Sequence, residues 1–183
     1  MGSKGLNVVG SPRLLRHPDG APDGVARIEA SLAGPGPNGF GAQFLISGLD
    51  GVVLPKRRKG ERTDGLWEHT CVEVFLKPEG GERYFEFNFA PSTHWAAYEL
   101  DGYREGLRPL HMGAPSMIAS RMGDSFLLRA QFDWRGHEKV KRWRVGLSAI
   151  IETAGGERSF FALTHPPGEP DFHHPDCFAL TLP

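Results

Sequence analysis

The chain has 183 residues, of which 39% are hydrophobic and 23% charged, a balance typical of one soluble globular domain rather than of a disordered chain. Lysine and arginine (21) nearly balance aspartate and glutamate (22), so binding to nucleic acid or to a membrane through net charge is not expected. The two cysteines, Cys71 and Cys177, are too few for a disulfide scaffold.

The N-terminal segment bears on compartment and domain boundaries. Residues 1–6 lack the apolar stretch of a signal peptide, and no run approaches the ~18 apolar residues that would cross a bilayer. We therefore predict a cytoplasmic protein with free thiols, although Gly2-Ser3 is also compatible with a removed leader. Residues 1–22 carry few periodic hydrophobic residues and are predicted to be poorly ordered or peripheral, whereas residues 23–183 form one domain.

Alternation of apolar and polar residues with a period of two recurs along the chain, between clusters of glycine and proline (24 and 15 residues). It predicts an all-β fold, a two-sheet antiparallel β-sandwich of the jelly-roll or immunoglobulin-like kind, with one short helical turn near Arg135–Lys141. The predicted strands are Val25–Leu32, Ala42–Ser47, Cys71–Leu76, Glu82–Phe89, His94–Leu100, Ser116–Ser120, Ser125–Phe132, Trp143–Ile151, Ser159–Thr164 and Cys177–Leu182.

Two segments match motifs without their structural context. Gly34–Gly39 reads GxGxxG, but it contains two prolines and a strand follows it where dinucleotide binding needs a helix, so we predict a hairpin-type loop. The basic cluster at residues 55–62 has no aromatic residues between its charges and is predicted to be a solvated loop.

Haem binding is an alternative that the sequence leaves open. No CxxCH motif for covalent attachment is present, and His111, Met112 and Met117 are the candidates for axial ligands of a non-covalent haem. Adjacent residues of a strand point to opposite faces, so His111 and Met112 could not both bind one iron if extended.

The strands Cys71–Leu76 and Glu82–Phe89 carry the most informative pattern. In an antiparallel hairpin their apolar residues face one core, and Glu73, Tyr84, Glu86 and Asn88 share the opposite face. We expect later strands to add Arg129, Gln131, Arg144 and Ser148 to that face. Such a face suits a sugar, because aromatic rings stack on pyranoses while carboxylates, amides and guanidinium groups bind hydroxyls. A polar face that meets water or forms salt bridges is the alternative.

The same stretch carries a family resemblance. Trp67 lies six residues before Glu73 in Trp-Glu-x-x-x-Val-Glu-Val-Phe-Leu, and Tyr84-x-Glu86-Phe87-Asn88-x-x-Pro91 follows. With the closing segments 162–166 and 170–174, this pattern resembles the DOMON-like superfamily over roughly residues 25 to 183. That superfamily includes family 9 carbohydrate-binding modules and b-type haem-binding cytochrome domains. The chain is most similar to a bacterial single-domain group related to the family 9 modules.

The resemblance implies a β-sandwich with a ligand site on one sheet face, where two tryptophans clamp a terminal sugar. Trp67 matches the first tryptophan and Glu73 the glutamate that binds the sugar. The second tryptophan has no match, and Phe172 or His173 is a candidate for its place. His69-Thr70 replaces an acidic pair of the family, which weakens the case for calcium in that loop.

Together these observations predict a non-catalytic module that binds a carbohydrate or a sugar-containing metabolite. The alternatives are a b-type haem or redox domain, a saccharide-active enzyme that uses Glu73 and Glu86, and an interaction domain without a small ligand. No metal or cofactor is predicted; haem and calcium are the alternatives, and a divalent metal would have His165, Asp171, His173 and His174 as candidate ligands. The predicted ligand-binding residues are Trp67, Glu73, Tyr84, Glu86, Asn88, His94, Trp95, Arg104, Arg129, Gln131 and His173.

Overall fold

Two packed antiparallel sheets make up the computed structural model, which describes residues 8–20 and 27–183. The predicted all-β sandwich is confirmed. One sheet has five strands, in the spatial order β1 (Val8–Val9), β3 (Arg27–Gly36), β4 (Gly39–Ser47), β10 (Ser125–Phe132) and β9 (Ser116–Met122). The other has eight, in the order β2 (Leu15–Arg16), β12 (Arg158–Ala162), β11 (Trp143–Glu152), β5 (Cys71–Pro78), β6 (Tyr84–Phe89), β7 (Trp95–Leu100) and β8 (Arg108–Pro109), with β13 (Leu180–Leu182) paired to β11.

The main core lies between the sheets and follows from the period-two pattern. Ile28 and Phe44 of the five-stranded sheet belong to the same buried cluster as Val74, Phe87 and other residues of the eight-stranded sheet. Burying side chains of this size contributes about 1.5–3 kcal/mol each, so this interface carries most of the folding free energy.

The eight-stranded sheet is also buried on its outer face. Every residue from Cys71 to Leu76 and from Tyr84 to Phe89 is buried, which a sheet with one solvated face would not show. A second apolar cluster covers this face, and it includes the loop residues Leu66, Phe172 and Phe178. Loops therefore form an extra layer over β5, β6 and β11, and this layer encloses the candidate site.

The two ends of the described chain need separate comparison with the predictions. Residues 1–22 are predicted to be poorly ordered or peripheral; of these, residues 8–20 are described, and there β1 pairs with β3 and β2 pairs with β12 at the sheet edges while Leu14 is buried in the main core. The predicted strand Cys177–Leu182 is wrong in its first half, because Pro175–Cys177 form a 3₁₀-helix and only Leu180–Leu182 pair with β11. Residues 21–26, which hold the predicted domain boundary and the start of the first predicted strand, lie outside the described residues.

Other local predictions are confirmed. The Gly34–Gly39 segment is the tight hairpin between β3 and β4, and the helical turn near residue 137 is the 3₁₀-helix His137–Lys139. In the described part of the chain, no helix has the length and apolar character needed to span a lipid bilayer.

Candidate functional site

A cavity of about 380 Å³ opens on the outer face of the eight-stranded sheet. Strands supply its floor and loops supply its walls. Its lining combines apolar rings and chains with three charged side chains, and it consists of Trp67, Glu73, Glu86, Leu100, Arg104, Leu107, Ile150, Phe160, Pro170, Phe172 and His173. The volume lies within the usual range for small-molecule sites.

Strand register brings the two glutamates of the cavity to neighbouring positions. Glu73 on β5 lies opposite Asn88 on β6 and opposite Ser148 on β11, while Glu86 lies opposite Phe75. Since residues two apart share a face, Glu86 and Asn88 both point away from the main core. The sequence prediction that Glu73, Tyr84, Glu86 and Asn88 share one face therefore matches the strand pairing.

Glu73 is almost fully enclosed and poorly partnered. Its side chain belongs to a residue that is only 3% exposed, and its single hydrogen bond comes from Ser148 Oγ, which donates to Oε2 at 3.1 Å. Among the described residues, Oε1 has no hydrogen-bond partner and no cation forms an ion pair with Glu73. Burial raises the pKa of Glu73 from 4.5 to about 8. The charge of Glu86 also raises this pKa, whereas the hydrogen bond from Ser148 lowers it.

Glu86 and Asn88 form a buried pair beside it. Asn88 Nδ2 donates to Glu86 Oε1 at 2.7 Å, while Asn88 Oδ1 is buried without a hydrogen-bond partner in the described structure. Burial raises the pKa of Glu86 as well, although the Asn88 hydrogen bond and the charge of Arg104 oppose the rise. Two neighbouring carboxyl groups in one apolar enclosure cannot easily both be charged, so one proton is shared between them near neutral pH.

Asp171 anchors the charged wall of the cavity. It accepts hydrogen bonds from the Tyr103 hydroxyl, from Arg104 Nη2 at 2.7 Å and from the His173 amide at 3.0 Å. Burial alone would raise the pKa of Asp171, but the bonds from Tyr103 and Arg104 outweigh it and lower the pKa. Arg104 is therefore neutralised by Asp171 rather than by either glutamate of the cavity.

A chain of hydrogen bonds runs from this wall to His173, which lies beside Glu86. The Arg104 amide donates to the Tyr84 hydroxyl at 3.2 Å, and that hydroxyl lies 2.8 Å from His173 Nδ1. Burial, followed by the charge of Arg104, lowers the pKa of His173 to about 4 despite Asp171, so the imidazole is neutral near pH 7. His173 Nε2 lies 3.8 Å from Glu86 Oε2. The arrangement favours the tautomer in which Tyr84 donates to Nδ1 and the Nε2 proton faces Glu86.

Trp67 forms the exposed aromatic edge of the cavity. It belongs to the 3₁₀-helix Leu66–Glu68, whose start Gly65 permits with a positive φ of 74°. Leu66 is buried beneath it, and the indole meets the Tyr98 ring edge-on at 6.1 Å. Trp67 remains 38% exposed, whereas the other three tryptophans are buried at 5% or less. Its ring is thus available to a ligand.

Four of the predicted binding residues lie elsewhere. Arg129 and Gln131 belong to β10 of the five-stranded sheet, where they bond Gln43 and the Asn38 carbonyl on that sheet's outer face. Trp95 is packed in the main core, and His94 lines a separate cavity of about 540 Å³ near the basic loop. These placements correct the expectation that all four join Glu73. For Arg129 and Gln131, alternation sets the face of β10 but not the sheet that it enters. Trp95 lies on β7 of the same sheet as Glu73 but faces the main core.

The remaining candidate ligands are engaged in other contacts. Arg144 donates to the Phe178 carbonyl and Ser148 to Glu73, and no arginine of the described residues forms an ion pair with Glu73. Thr70 donates to the Val53 carbonyl and His69 bonds Glu152 at 2.9 Å, which leaves neither free in the loop considered for calcium.

The metal and haem candidates are spread over separate parts of the fold. Within residues 8–20 and 27–183, no group of three or more histidine, cysteine, aspartate or glutamate side chains is placed to hold a metal ion. His165 bonds the Leu15 carbonyl, away from Asp171. His111, Met112 and Met117 do not line the 380 Å³ cavity.

Several residues of the site were not predicted as site residues. Leu100, Ile150 and Phe160 supply apolar surface from strands that were predicted, but alternation does not mark which strand residues reach a ligand. Leu107, which adds apolar surface, and Tyr103, which bonds Asp171, are isolated loop residues and give no periodicity. Phe172 and His173 were found through the closing segment of the family resemblance.

The fold has a solved counterpart. No protein-family model and no curated protein sequence matches the chain. A crystal structure of a "putative carbohydrate-binding protein" from Bacteroides uniformis superimposes with a TM-score of 0.70 at 16% sequence identity, covering 97% of this chain and 85% of the other. At that identity the similarity establishes the shared fold.

Proposed function

We propose that this chain is a non-catalytic, ligand-binding module of the kind found in family 9 carbohydrate-binding proteins, and that it binds a carbohydrate or a sugar-containing metabolite. One observation carries the proposal: an exposed tryptophan stands at the edge of a 380 Å³ cavity that also presents two buried carboxyl groups. The description of the Bacteroides uniformis structure supports the same class of ligand. As part of this proposal the module works in the cytoplasm on a soluble ligand.

The chemistry of the lining matches that of a sugar ring. The Trp67 indole offers a flat apolar surface for the C–H face of a pyranose. A hydroxyl group both donates and accepts, so it can accept from the protonated carboxyl group of the Glu73–Glu86 pair and donate to the ionised one. His173 and the apolar ring of Phe172 close the opposite wall. Each hydrogen bond to a charged partner contributes about 1.5–3 kcal/mol.

Trp67→Ala should abolish sugar binding and leave the fold intact, because the Trp67 side chain is exposed and Leu66 is the buried residue of its 3₁₀-helix. The measurement is a thermal-shift screen of mono- and disaccharides, followed by titration calorimetry. A ligand that binds only the folded state raises its apparent stability. Intrinsic fluorescence gives an independent readout, since Trp67 alone among the four tryptophans is exposed to a ligand.

Ile118→Ala is the matched control for this variant. Ile118 is also an exposed apolar residue, but it lies on β9 at the outer face of the other sheet. It should bind sugar like the wild type. Unchanged affinity in Trp67→Ala would reject the site, and no response to any saccharide in the wild type would reject the proposed function.

A saccharide-active enzyme is the second candidate, and the raised pKa of Glu73 favours it. Two neighbouring carboxyl groups that hold one proton between them near neutral pH have the properties of a general acid with a basic or nucleophilic partner. The discriminating experiment is an incubation with aryl glycosides. Turnover that is present in the wild type and lost in Glu73→Gln would establish catalysis. Binding without turnover would support the non-catalytic module instead.

A further inference from the structure

The cavity is rich in hydrogen-bond acceptors and poor in donors. Glu73 Oε1 has no hydrogen-bond partner within the described residues, and Glu86 Oε2 has only His173 Nε2, at 3.8 Å. Both glutamates line the cavity, so a ligand inside it can reach them. A carboxyl oxygen that is shut away from water without a donor costs roughly 1–3 kcal/mol, and a ligand that brings several donors into this space avoids that cost when it displaces water.

The two acidic side chains of the cavity also lack a basic partner. Glu73 and Glu86 are 3% and 4% exposed, and no lysine or arginine of the described chain forms an ion pair with either. The nearest guanidinium, that of Arg104, is paired with Asp171. A buried carboxylate is stable only when a cation or a proton neutralises it. The two buried carboxyl groups are therefore placed to bind a cation from a ligand, because no lysine or arginine of the described chain pairs with them.

We propose that the ligand carries a protonated amine, as an amino sugar does, and that Glu73 and Glu86 bind its ammonium group. This inference rests on the proposed sugar-binding function and names the substituent that the site selects. An ammonium group has three donors and no acceptor, which fits an enclosure made of acceptors. A ring hydroxyl also donates, but it leaves the carboxylates without a compensating charge once the ligand has displaced water.

Binding of an ammonium group should change the number of protons held by Glu73 and Glu86. Without ligand, burial and the repulsion between the two carboxyl groups hold one proton on the pair near neutral pH. When the cation enters, the pair loses this proton to solvent, so that two carboxylates face one ammonium and the site keeps a net charge of −1. The other titratable and charged groups near the pair belong to the neighbouring strands and loops and are Cys71, Tyr84, Tyr98, Arg104 and His173.

The test compares three sugars with one ring: glucosamine, glucose and N-acetylglucosamine. At a pH where the amine is protonated, glucosamine should bind at least about tenfold more tightly than glucose, because a charged hydrogen bond replaces a neutral one. N-acetylglucosamine, whose nitrogen is neutral and bulkier, should lose this gain. Calorimetry in buffers of different ionisation enthalpy should detect proton release with glucosamine alone.

Variants assign the effect to the carboxyl groups. Glu73→Gln should abolish the proton release and the preference for glucosamine, and Glu86→Gln should remove the preference. Glu157→Gln, a change of the same kind at an exposed position, should leave both intact. Binding by Glu73→Gln also shows that this variant is folded.

Cyclohexylamine separates this inference from the proposed function. Equal affinity for glucose and glucosamine would overturn the amine inference and leave sugar binding standing. Stabilisation by cyclohexylamine but by no sugar would support the amine site and refute sugar binding. No response to either amine would overturn the inference.

Discussion

A buried carboxyl group makes stability depend on pH, and Glu73 is the clearest case in this chain. Its folded-state pKa is raised to about 8 by burial and by Glu86, whereas the unfolded chain ionises near 4.5. The stability associated with the neutral acid is complete below pH 4.5 and is lost as pH rises towards 8. Over that window the free energy of unfolding should fall by up to about 1.4 kcal/mol per pH unit from this group.

Glu73→Gln keeps an acceptor for Ser148 and removes the titration, so its stability should depend less on pH between about 4.5 and 8. The variant should gain on the wild type as pH rises. Urea unfolding followed by circular dichroism at several pH values measures this. Glu157→Gln at an exposed site provides the control. Parallel pH profiles for wild type and Glu73→Gln would mean that the carboxyl group is hydrated or compensated in the folded protein.

The hairpin between β3 and β4 requires a glycine at position 39. Gly39 has a φ of 77°, and a Cβ built there would lie 2.3 Å from the Phe132 carbonyl oxygen of β10. Gly39→Ala should therefore combine backbone strain of about 1–3 kcal/mol with a displacement of β10. Gly51→Ala separates the two effects, since its φ is 70° and its Cβ would meet nothing within 4 Å.

Thermal unfolding should rank these variants with Gly39→Ala clearly below Gly51→Ala, and Gly51→Ala slightly below the wild type. Equal losses would show that the approach of Phe132 is relieved at no cost. In that case backbone conformation alone would explain the glycine at the hairpin.

At the scale of the strands, their positions and the faces of their residues could be predicted from the sequence, but the sheet that each strand joins could not. The segment Ser125–Phe132 has the predicted bounds, and the alternation placed Glu73 and Glu86 correctly away from the core. Arg129 shows the same alternation, yet β10 pairs with β4 and β9 rather than with the strands of the site. The period of the apolar and polar alternation describes a single strand, whereas the pairing of strands depends on contacts between distant parts of the chain.

At the scale of the whole molecule, the site exists because two distant loops close over one sheet. Residues 101–107 follow β7, and residues 171–178 precede β13, yet Tyr103 and Arg104 bond Asp171 across 67 or 68 positions of sequence. No periodicity encodes such a contact. The sandwich could be predicted because alternation repeats along the chain and marks the strands. The walls of the cavity could not, because each loop contact depends on one side chain meeting another.

Asp171 should couple these two loops in their dynamics. Asp171→Asn removes the negative charge opposite Arg104 and leaves one side-chain oxygen to accept from Tyr103, Arg104 and the His173 amide. Hydrogen–deuterium exchange should become roughly fivefold faster or more in residues 101–107 and 171–178 together, with the strands of the main core unchanged.

The control is Glu79→Gln, which weakens the exposed Glu79–Arg142 pair on another part of the surface. An exposed pair contributes at most about 1 kcal/mol, and this one touches neither loop, so exchange at the site should remain as in the wild type. Faster exchange in Asp171→Asn restricted to residues 171–178 would show that the two walls open independently. Joint opening would mean that a single carboxylate holds the cavity in its closed shape, and ligand affinity should then fall in the same variant.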